Sequence, residues 1–129
     1  MKSLNIILLL VITIFATSCN SDKEDPVIEI SSPANHSEHH WGDEIEVKAK
    51  FTDDQELMSF SAMIGDIDGN HTHEFHFMDS GNISGTEYEY SGTITVPTGI
   101  EEVYYLHITV TDAEEKSTTE KVMLHFHED

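Results

Sequence analysis

The sequence is poor in cysteine and in positive charge, and both shortages limit what the protein can be. Its 129 residues include one cysteine and six basic residues, all of them lysine, against 25 acidic residues, so that the formal net charge is −19. A single cysteine excludes a disulfide within the chain. The lack of a basic patch argues against binding to nucleic acid or adsorption to anionic lipid headgroups. The length fits one domain, and a hydrophobic content of 38% is compatible with a small packed core.

Catalytic motifs are also missing. The sequence holds no nucleophile elbow or other established catalytic pattern, and it has no arginine to guide an anionic substrate. We therefore expect a protein that is not an enzyme. The plentiful residue is histidine, with nine in all, and the placement of these histidines decides which function is expected.

A short apolar segment opens the chain. Lys2 is followed by an apolar run over residues 6–16, which is too short for a comfortable transmembrane helix of about 20 apolar residues. Small residues then lead to Cys19, a pattern typical of a signal peptide with a cysteine at the cleavage position. The segment resembles a bacterial lipoprotein signal, in which the small residues before the cysteine form the lipobox. The resemblance implies that residues 1–18 are removed and that Cys19 carries the lipid, with an uncleaved N-terminal anchor as the alternative.

Residues 19–25 are polar and acidic, which predicts a disordered tether between the lipid and the folded domain. Asn20 follows the cysteine, and the resemblance to lipoproteins of Gram-negative bacteria then implies the outer membrane rather than the inner one. The tether also resembles acidic export signals that present lipoproteins on the cell surface. We therefore expect a protein that is lipid-anchored to the outer membrane and faces the periplasm or the exterior, where an outer-membrane protein is a candidate partner.

From Pro26 onward, apolar and polar residues alternate with a period of two, which predicts β-strands. Stretches rich in turn residues, such as 68–70, 80–82 and 97–99, separate the alternating segments. About seven short strands in about 100 residues are typical of an immunoglobulin-like antiparallel β-sandwich, so we assign residues 26–129 to one all-β domain of this class. The predicted strands are 27–30, 45–51, 60–64, 71–78, 88–96, 104–110 and 122–126.

Two stretches carry a likeness to known modules. Phe51–Leu57, with an acidic turn after the second strand, and Thr109–Ala113, with Val-Thr-Asp at the end of the sixth, resemble bacterial Ig-like and cadherin-like modules. The domain as a whole resembles an uncharacterised group of small, His-rich bacterial lipoproteins that have an Asp-Gly-x-His-x-His segment, here Asp68–His73. This second resemblance implies no activity.

Seven of the nine histidines are predicted to lie at one end of the sandwich. If successive strands reverse direction, alternate connections share an end. The first connection, the start of the fourth strand and the end of the seventh then lie together, at the end away from the lipid anchor. The histidines in these places are His36, His39, His40, His71, His73, His125 and His127.

The spacing of these histidines predicts a metal site. Residues i and i+2 of a strand share a face about 6.6 Å apart, so the imidazoles of His71 and His73 can converge on one ion. We place the site around this pair, completed by one or two of the other five. Nitrogen and oxygen donors favour Zn(II), Cu(II) or Ni(II), and the ligands alone do not identify the metal. Asp66, Asp68 and Glu74 offer oxygen ligands or acceptors for the imidazole N–H groups, and Met58, Met63, Met78 and Met123 keep Cu(I) open.

Other interpretations stay open. The opposite end is acidic, and Asp53, Asp54 and Asp112 in adjacent turns could hold Ca²⁺, as the cadherin-like resemblance implies, although acidic turns are usually just solvated. The histidines could also be solvated side chains that charge together on mild acidification, since their reference pKa is about 6.5.

The sequence thus predicts a membrane-anchored lipoprotein whose histidine cluster binds Zn or Cu for capture, buffering or delivery. The alternative is a non-catalytic Ig-like accessory or adhesion module that binds a protein or a glycan, with stabilisation by Ca²⁺ left open.

Overall fold

The structure, a computed structural model, describes residues 24–100 and 103–128. The predicted signal peptide, Cys19 and most of the predicted tether lie outside the described residues. Within the described ranges, no helix is long and apolar enough to cross a membrane. The strands of the described chain are β1 (Val27–Ser32), β2 (Ser37–His40), β3 (Glu44–Thr52), β4 (Leu57–Gly65), β5 (Met78–Asn82), β6 (Glu87–Thr95), β7 (Val103–Asp112) and β8 (Ser117–His127).

The strands form two sheets that pack face to face. One sheet has the order β1-β3-β6, and the other has the order β2-β8-β7-β4-β5. The strands pair antiparallel, except that β2 runs parallel to β8. The chain therefore leaves the first sheet after β1 and adds β2 to the edge of the second sheet.

The core lies between the sheets and follows the alternation in the sequence. On β3, every second side chain from Ile45 to Phe51 is buried, while Glu46 and Lys48 between them are exposed. On the facing strand β7, the inward residues Leu106 and Ile108 are fully buried, and His107 between them is buried on the outer side. Because two half-buried sheets can hide their apolar faces only against each other, this pattern produces a sandwich. The predicted all-β sandwich is confirmed.

Two segments of the second sheet differ from the sequence-based prediction. The predicted strand 71–78 is wrong: residues 71–77 form a loop with one isolated bridge, between Gly65 and His71, and only Met78 belongs to a strand. The residues predicted as a turn at 80–82 belong to β5, and β2 was not predicted, so that the described chain has eight strands rather than about seven.

The connections are grouped at two ends as expected. Segments 41–43, 66–77 and 96–100 lie at the end where β8 finishes, which we call the histidine end. Backbone hydrogen bonds join the first and the last of these connections, for example from Gly42 N to Val96 O at 3.0 Å. Turns 53–56, 83–86 and 113–116 lie at the opposite, acidic end, where Ala113 N donates to Glu56 O at 2.8 Å.

Candidate functional site

A row of histidines runs along the outer face of the β2–β8 pair. On β8, Leu124 and Phe126 point into the core and are at most 2% exposed, so His125 and His127 face outward. The parallel register sets Glu38 opposite His125 and His40 opposite His127. We call His36, Glu38, His40, His125 and His127 the outer histidine row.

Side chains in the outer histidine row lie close to one another. The rings of His36 and His125 stack with their centroids 5.9 Å apart, and those of His40 and His127 are 6.5 Å apart. His127 Nε2 lies 3.9 Å from a carboxylate oxygen of Glu38. About half of the side-chain surface of both His40 and His127 is exposed, so these imidazoles can rotate without disturbing the core.

Two local features hold the start of β2 in place. His36 adopts a left-handed backbone conformation, with φ of 63°, and its N–H donates to Met123 O at 2.8 Å. The N–H of Met123 in turn donates to Asn35 Oδ1 at 2.9 Å. This exchange fixes the register of β2 against β8 and brings the His36 ring onto His125.

His39 lies on the other face of β2 and is not part of the outer row. Its ring packs against Phe126 at 5.9 Å, and its Nε2 is 2.8 Å from Ser37 Oγ. Burial lowers the pKa of His39; the Asp43 carboxylate opposes this shift and His40 adds to it. His39 thus tends to stay neutral, and its ring serves to pack β2 against Phe126.

The loop 71–77 holds a second group of histidines. His71 and His76 stack with their ring centroids 4.8 Å apart, whereas His73 is exposed and does not share a strand face with His71. The loop is anchored by Phe75, which is 1% exposed and meets Tyr104 and Phe126 edge to face at 5.5 and 5.2 Å.

The turn before this loop is built on Asp66. One carboxylate oxygen of Asp66 accepts hydrogen bonds from the N–H groups of Asp68 and Asn70, and the other accepts from the Asn70 side chain. The hydrogen bonds from Asn70 lower the pKa of Asp66. Since the backbone carbonyl of Asp66 also pairs with His107 Nε2 at 2.7 Å, this residue organises the turn. Asp68 and Glu74 are exposed.

The histidines at this end do not form one cluster. His71 bridges Gly65 on the side of β4 away from β7, so two strands stand between it and His125 on β8. With neighbouring strands about 4.8 Å apart, the two groups are on the order of 14 Å from each other. Within the described ranges, no three histidine, aspartate, glutamate or cysteine side chains are arranged to hold a metal ion as they stand.

The predicted calcium ligands lie in adjacent turns but differ in burial. Asp53 and Asp112 are buried, and each uses one oxygen to accept two backbone N–H groups of its own turn. The second oxygen of each carboxylate is buried and has no hydrogen-bond partner among the described residues. Asp54 is exposed. These contacts are those of turn-capping residues.

An open groove of about 550 Å³ crosses the outer face of the three-stranded sheet. It is lined in part by Lys48, Lys50 and Glu89. Lys48 Nζ lies 3.2 Å from Glu46 Oε1, and Lys50 Nζ lies 3.1 Å from Glu87 Oε1. The hydrogen bond to Glu87 raises the pKa of Lys50. The groove is therefore a surface of matched charges rather than an anion site.

Sequence reasoning missed the pairing of His71 with His76, because it placed both on a strand and chose the i, i+2 neighbour as the partner. It also did not foresee that His107 is covered, 7% exposed, beneath the turn at 66–70. Only the apolar Phe75 within the histidine-rich stretch indicated that this segment folds back onto the core.

The fold and the surface features together define a class: an immunoglobulin-like, all-β sandwich domain. It is similar to the fibronectin(III)-like modules of Clostridium thermocellum CbhA, with 12% identity and a TM-score of 0.51 over 81% of this chain and 47% of that one. It is also similar to a Niemann-Pick type C2 protein from the Japanese carpenter ant, with 14% identity and a TM-score of 0.51 over 83% and 98% of the two chains. The chain thus spans about half the length of the first of these structures. At such identities the likeness shows the fold alone.

Within this class, the chain belongs to the family described as Domain of unknown function (DUF4625), whose model matches residues 16–126. A comparison with curated proteins finds no match. Family membership covers nearly the whole sandwich and brings no activity with it.

Proposed function

We propose that the domain captures a transition metal ion, Zn(II) or Cu(II), through the outer histidine row, with His40 and His127 as the central ligands. The observation that carries this proposal is the parallel register of β2 and β8, which sets these two exposed imidazoles directly opposite each other. Two such rings, 6.5 Å apart between centroids, need only side-chain rotation to direct their nitrogens at one ion.

A carboxylate adds the third donor. Glu38 Oε1 lies 3.9 Å from His127 Nε2, within reach of an ion held by the two rings. On the other side, Asp43 lies beside His40, with Oδ2 4.0 Å from Nδ1. A carboxylate next to a ligating imidazole orients the ring and raises its basicity, which strengthens metal binding.

The charge of the chain supports cation capture. A formal net charge of −19 surrounds the row with negative potential, which raises the local concentration of cations and the rate at which they arrive. The donors are nitrogen and oxygen, which suit Zn(II) and Cu(II), and Cu(II) binds more tightly when both metals are supplied equally.

In this proposal the domain works at a membrane. Cys19 carries a lipid, residues 19–25 form the tether, and the sandwich faces the periplasm or the cell exterior. The role is capture, buffering or delivery of the ion to a membrane partner, and no catalytic step is assigned to the domain.

The test is zinc titration of the full chain, purified in mild detergent without an affinity tag. In His40→Gln/His127→Gln we expect zinc affinity to fall by at least about 10- to 100-fold, since removing even an outer-shell partner of a metal ligand has that effect. We also expect binding to weaken below about pH 6, because imidazoles must be neutral to ligate.

The matched control is His71→Gln/His73→Gln, which removes the pair favoured by the sequence alone. We expect its first zinc equivalent to bind as in the wild type. If the control loses zinc and His40→Gln/His127→Gln retains it, the ligands lie in the loop 71–77 and the proposal is wrong. If the wild type retains no zinc or copper, the proposal of metal capture is wrong and the accessory-module alternative is preferred.

A further inference from the structure

Two methionines face outward side by side near the edge of the second sheet. Met63 on β4 and Met78 on β5 are register partners. Ala62 and Ile64, which flank Met63, are fully buried, so Met63 points to the outer face, and Met78 is 60% exposed there. Directly opposite residues of an antiparallel pair have Cβ atoms about 4.5–5.5 Å apart, close enough for both thioethers to reach one ion.

The stacked histidines lie at the next position along the same ladder. Beyond β5 the pairing continues, because Ile64 N donates to Phe77 O at 3.1 Å. His76 therefore falls two residues from Met78 on the same face, about 6.6 Å away along the chain. His71 stacks on His76, and its backbone bridges Gly65, which follows Ile64.

Gly65 brings these two pairs together. A Cβ added at this glycine would lie 2.5 Å from Asn70 O and 3.1 Å from the terminal methyl carbon of Met63. The missing side chain thus lets the segment that leads into His71 approach β4 closely. It also leaves room for the end of Met63 over Gly65, the residue whose backbone His71 bridges.

Carboxylates contribute little to this spot. Asp79, next to Met78, accepts a hydrogen bond from the Tyr90 hydroxyl at 2.8 Å. This contact joins β5 to β6 of the other sheet. Asp66 is occupied by the backbone and side chain of Asn70. The available donors are two thioether sulfurs and two imidazole nitrogens, a softer set than that of the outer histidine row.

We propose that Met63, Met78, His71 and His76 form a second metal site, selective for Cu(I). Thioether ligands select Cu(I) over Zn(II), and imidazoles complete a soft set without a thiol. This site is separate from the outer histidine row and goes beyond the zinc or Cu(II) capture proposed above. The domain would then hold copper in both oxidation states at different positions, with no electron transfer between them implied.

The test is a competition titration of the full chain with a chromophoric Cu(I) chelator, under argon with excess ascorbate. The test variant is Met63→Leu/Met78→Leu, which nearly conserves side-chain volume and so preserves the fold. We expect about one Cu(I) per chain in the wild type and an affinity at least about tenfold lower in the variant, in line with the loss of metal ligands. Met58→Leu/Met123→Leu is the matched control and is expected to bind Cu(I) as the wild type does.

Three further measurements separate the outcomes. His71→Gln/His76→Gln is expected to weaken Cu(I) binding as the methionine variant does. X-ray absorption of the Cu(I) complex is expected to show sulfur ligands that disappear in Met63→Leu/Met78→Leu, and zinc affinity of that variant is expected to stay unchanged. Unchanged Cu(I) affinity in the methionine variant, or a wild type that yields Cu(I) fully to the chelator, overturns this site. Zinc binding to His40 and His127 is tested separately, by the zinc titration of His40→Gln/His127→Gln.

Discussion

The two histidine-rich segments at one end of the sandwich are held in different ways. Ser37–His40 is a strand, and its histidines are spaced by a ladder of backbone pairs with β8. The loop 71–77 has one isolated bridge and one further backbone hydrogen bond to β4, from Ile64 N to Phe77 O, and its position depends mainly on the buried ring of Phe75. In the first segment, the register positions the imidazoles one by one. In the second, one apolar anchor positions the whole loop, and the histidines follow.

Both segments nevertheless rest on the same residue. Phe126 of β8 meets His39 from β2 at 5.9 Å and Phe75 from the loop at 5.2 Å. The end of the core is thus closed from two sides against one ring. The outward-facing imidazoles of both segments are therefore not needed to hold the segments in place. Surface ligands that must rotate toward an ion require this freedom.

The largest expected effect comes from removing the anchor of the loop. Phe75→Ala deletes a fully buried ring from the cluster with Tyr104 and Phe126, and we expect it to destabilise the domain by about 3–5 kcal/mol. Denaturant unfolding monitored by circular dichroism measures the loss. Phe75→Leu, which keeps apolar volume, is expected to lose less and to remain folded if the alanine variant does not.

Phe77→Ala is the matched control for this prediction. Phe77 is half-buried and only packs against the margin of the core, so its loss is expected to be smaller than that of Phe75. Equal losses at the two positions would show that the loop is not anchored by Phe75 in particular. It would then be wrong that one ring holds the loop 71–77 whereas backbone pairing holds Ser37–His40.

A middle-sized effect is expected at the end of β2. The indole N–H of Trp41 donates to Ile100 O, and Trp41 N donates to His127 O at 3.1 Å. Trp41→Phe removes the first of these bonds and is expected to cost about 1 kcal/mol. Hydrogen exchange of residues 37–40 is expected to quicken while that of residues 71–77 stays unchanged.

Tyr105→Phe is a suitable control, because it removes a hydroxyl from the neighbouring strand β7 and is expected to change stability by no more than about 0.5 kcal/mol. Faster exchange in both segments of Trp41→Phe would mean that the two segments open as one unit and are not held separately.

The difference between the two segments also explains what sequence reasoning could predict. Alternation identified β3, β7 and the outward direction of His125 and His127, because each of these strands has a clear buried face. Alternation also misled at 71–78, where Phe75 and Phe77 are apolar for a different reason: they attach a loop to the core. Ser37–His40 has no apolar residue at all, and its strand exists only through pairing with β8, whose partner residues come 87 positions later in the sequence.

The candidate ligand sets were predictable to different degrees. The histidines were correctly expected at one end, because strand reversal follows from the fold class. Their division into two groups follows from register and sheet order, which a single sequence does not reveal. The pairing of Met63 with Met78 could not be predicted for the same reason. The two residues are fifteen positions apart, and β5 carries too few apolar side chains to be recognised as a strand.

The smallest expected effect concerns acidification, and it separates His39 from the outer histidine row. Burial against Phe126 lowers the pKa of His39 in the folded chain below its ordinary value of 6.5, despite the opposing Asp43 carboxylate. The unfolded chain therefore takes up this proton more readily, so the contribution of His39 to stability is complete above about pH 6.5 and is lost as the pH falls below it toward the lower folded pKa.

The variant His39→Gln replaces the imidazole with an uncharged side chain that can still bond to Ser37. We expect it to reduce the difference between the urea midpoints at pH 7.5 and 5.5. His73→Gln, at an exposed position in the loop, is expected to leave that difference as in the wild type. Equal acid sensitivity in His39→Gln and the wild type would mean that His39 is not held neutral against Phe126, and that β2 is docked by its backbone ladder alone.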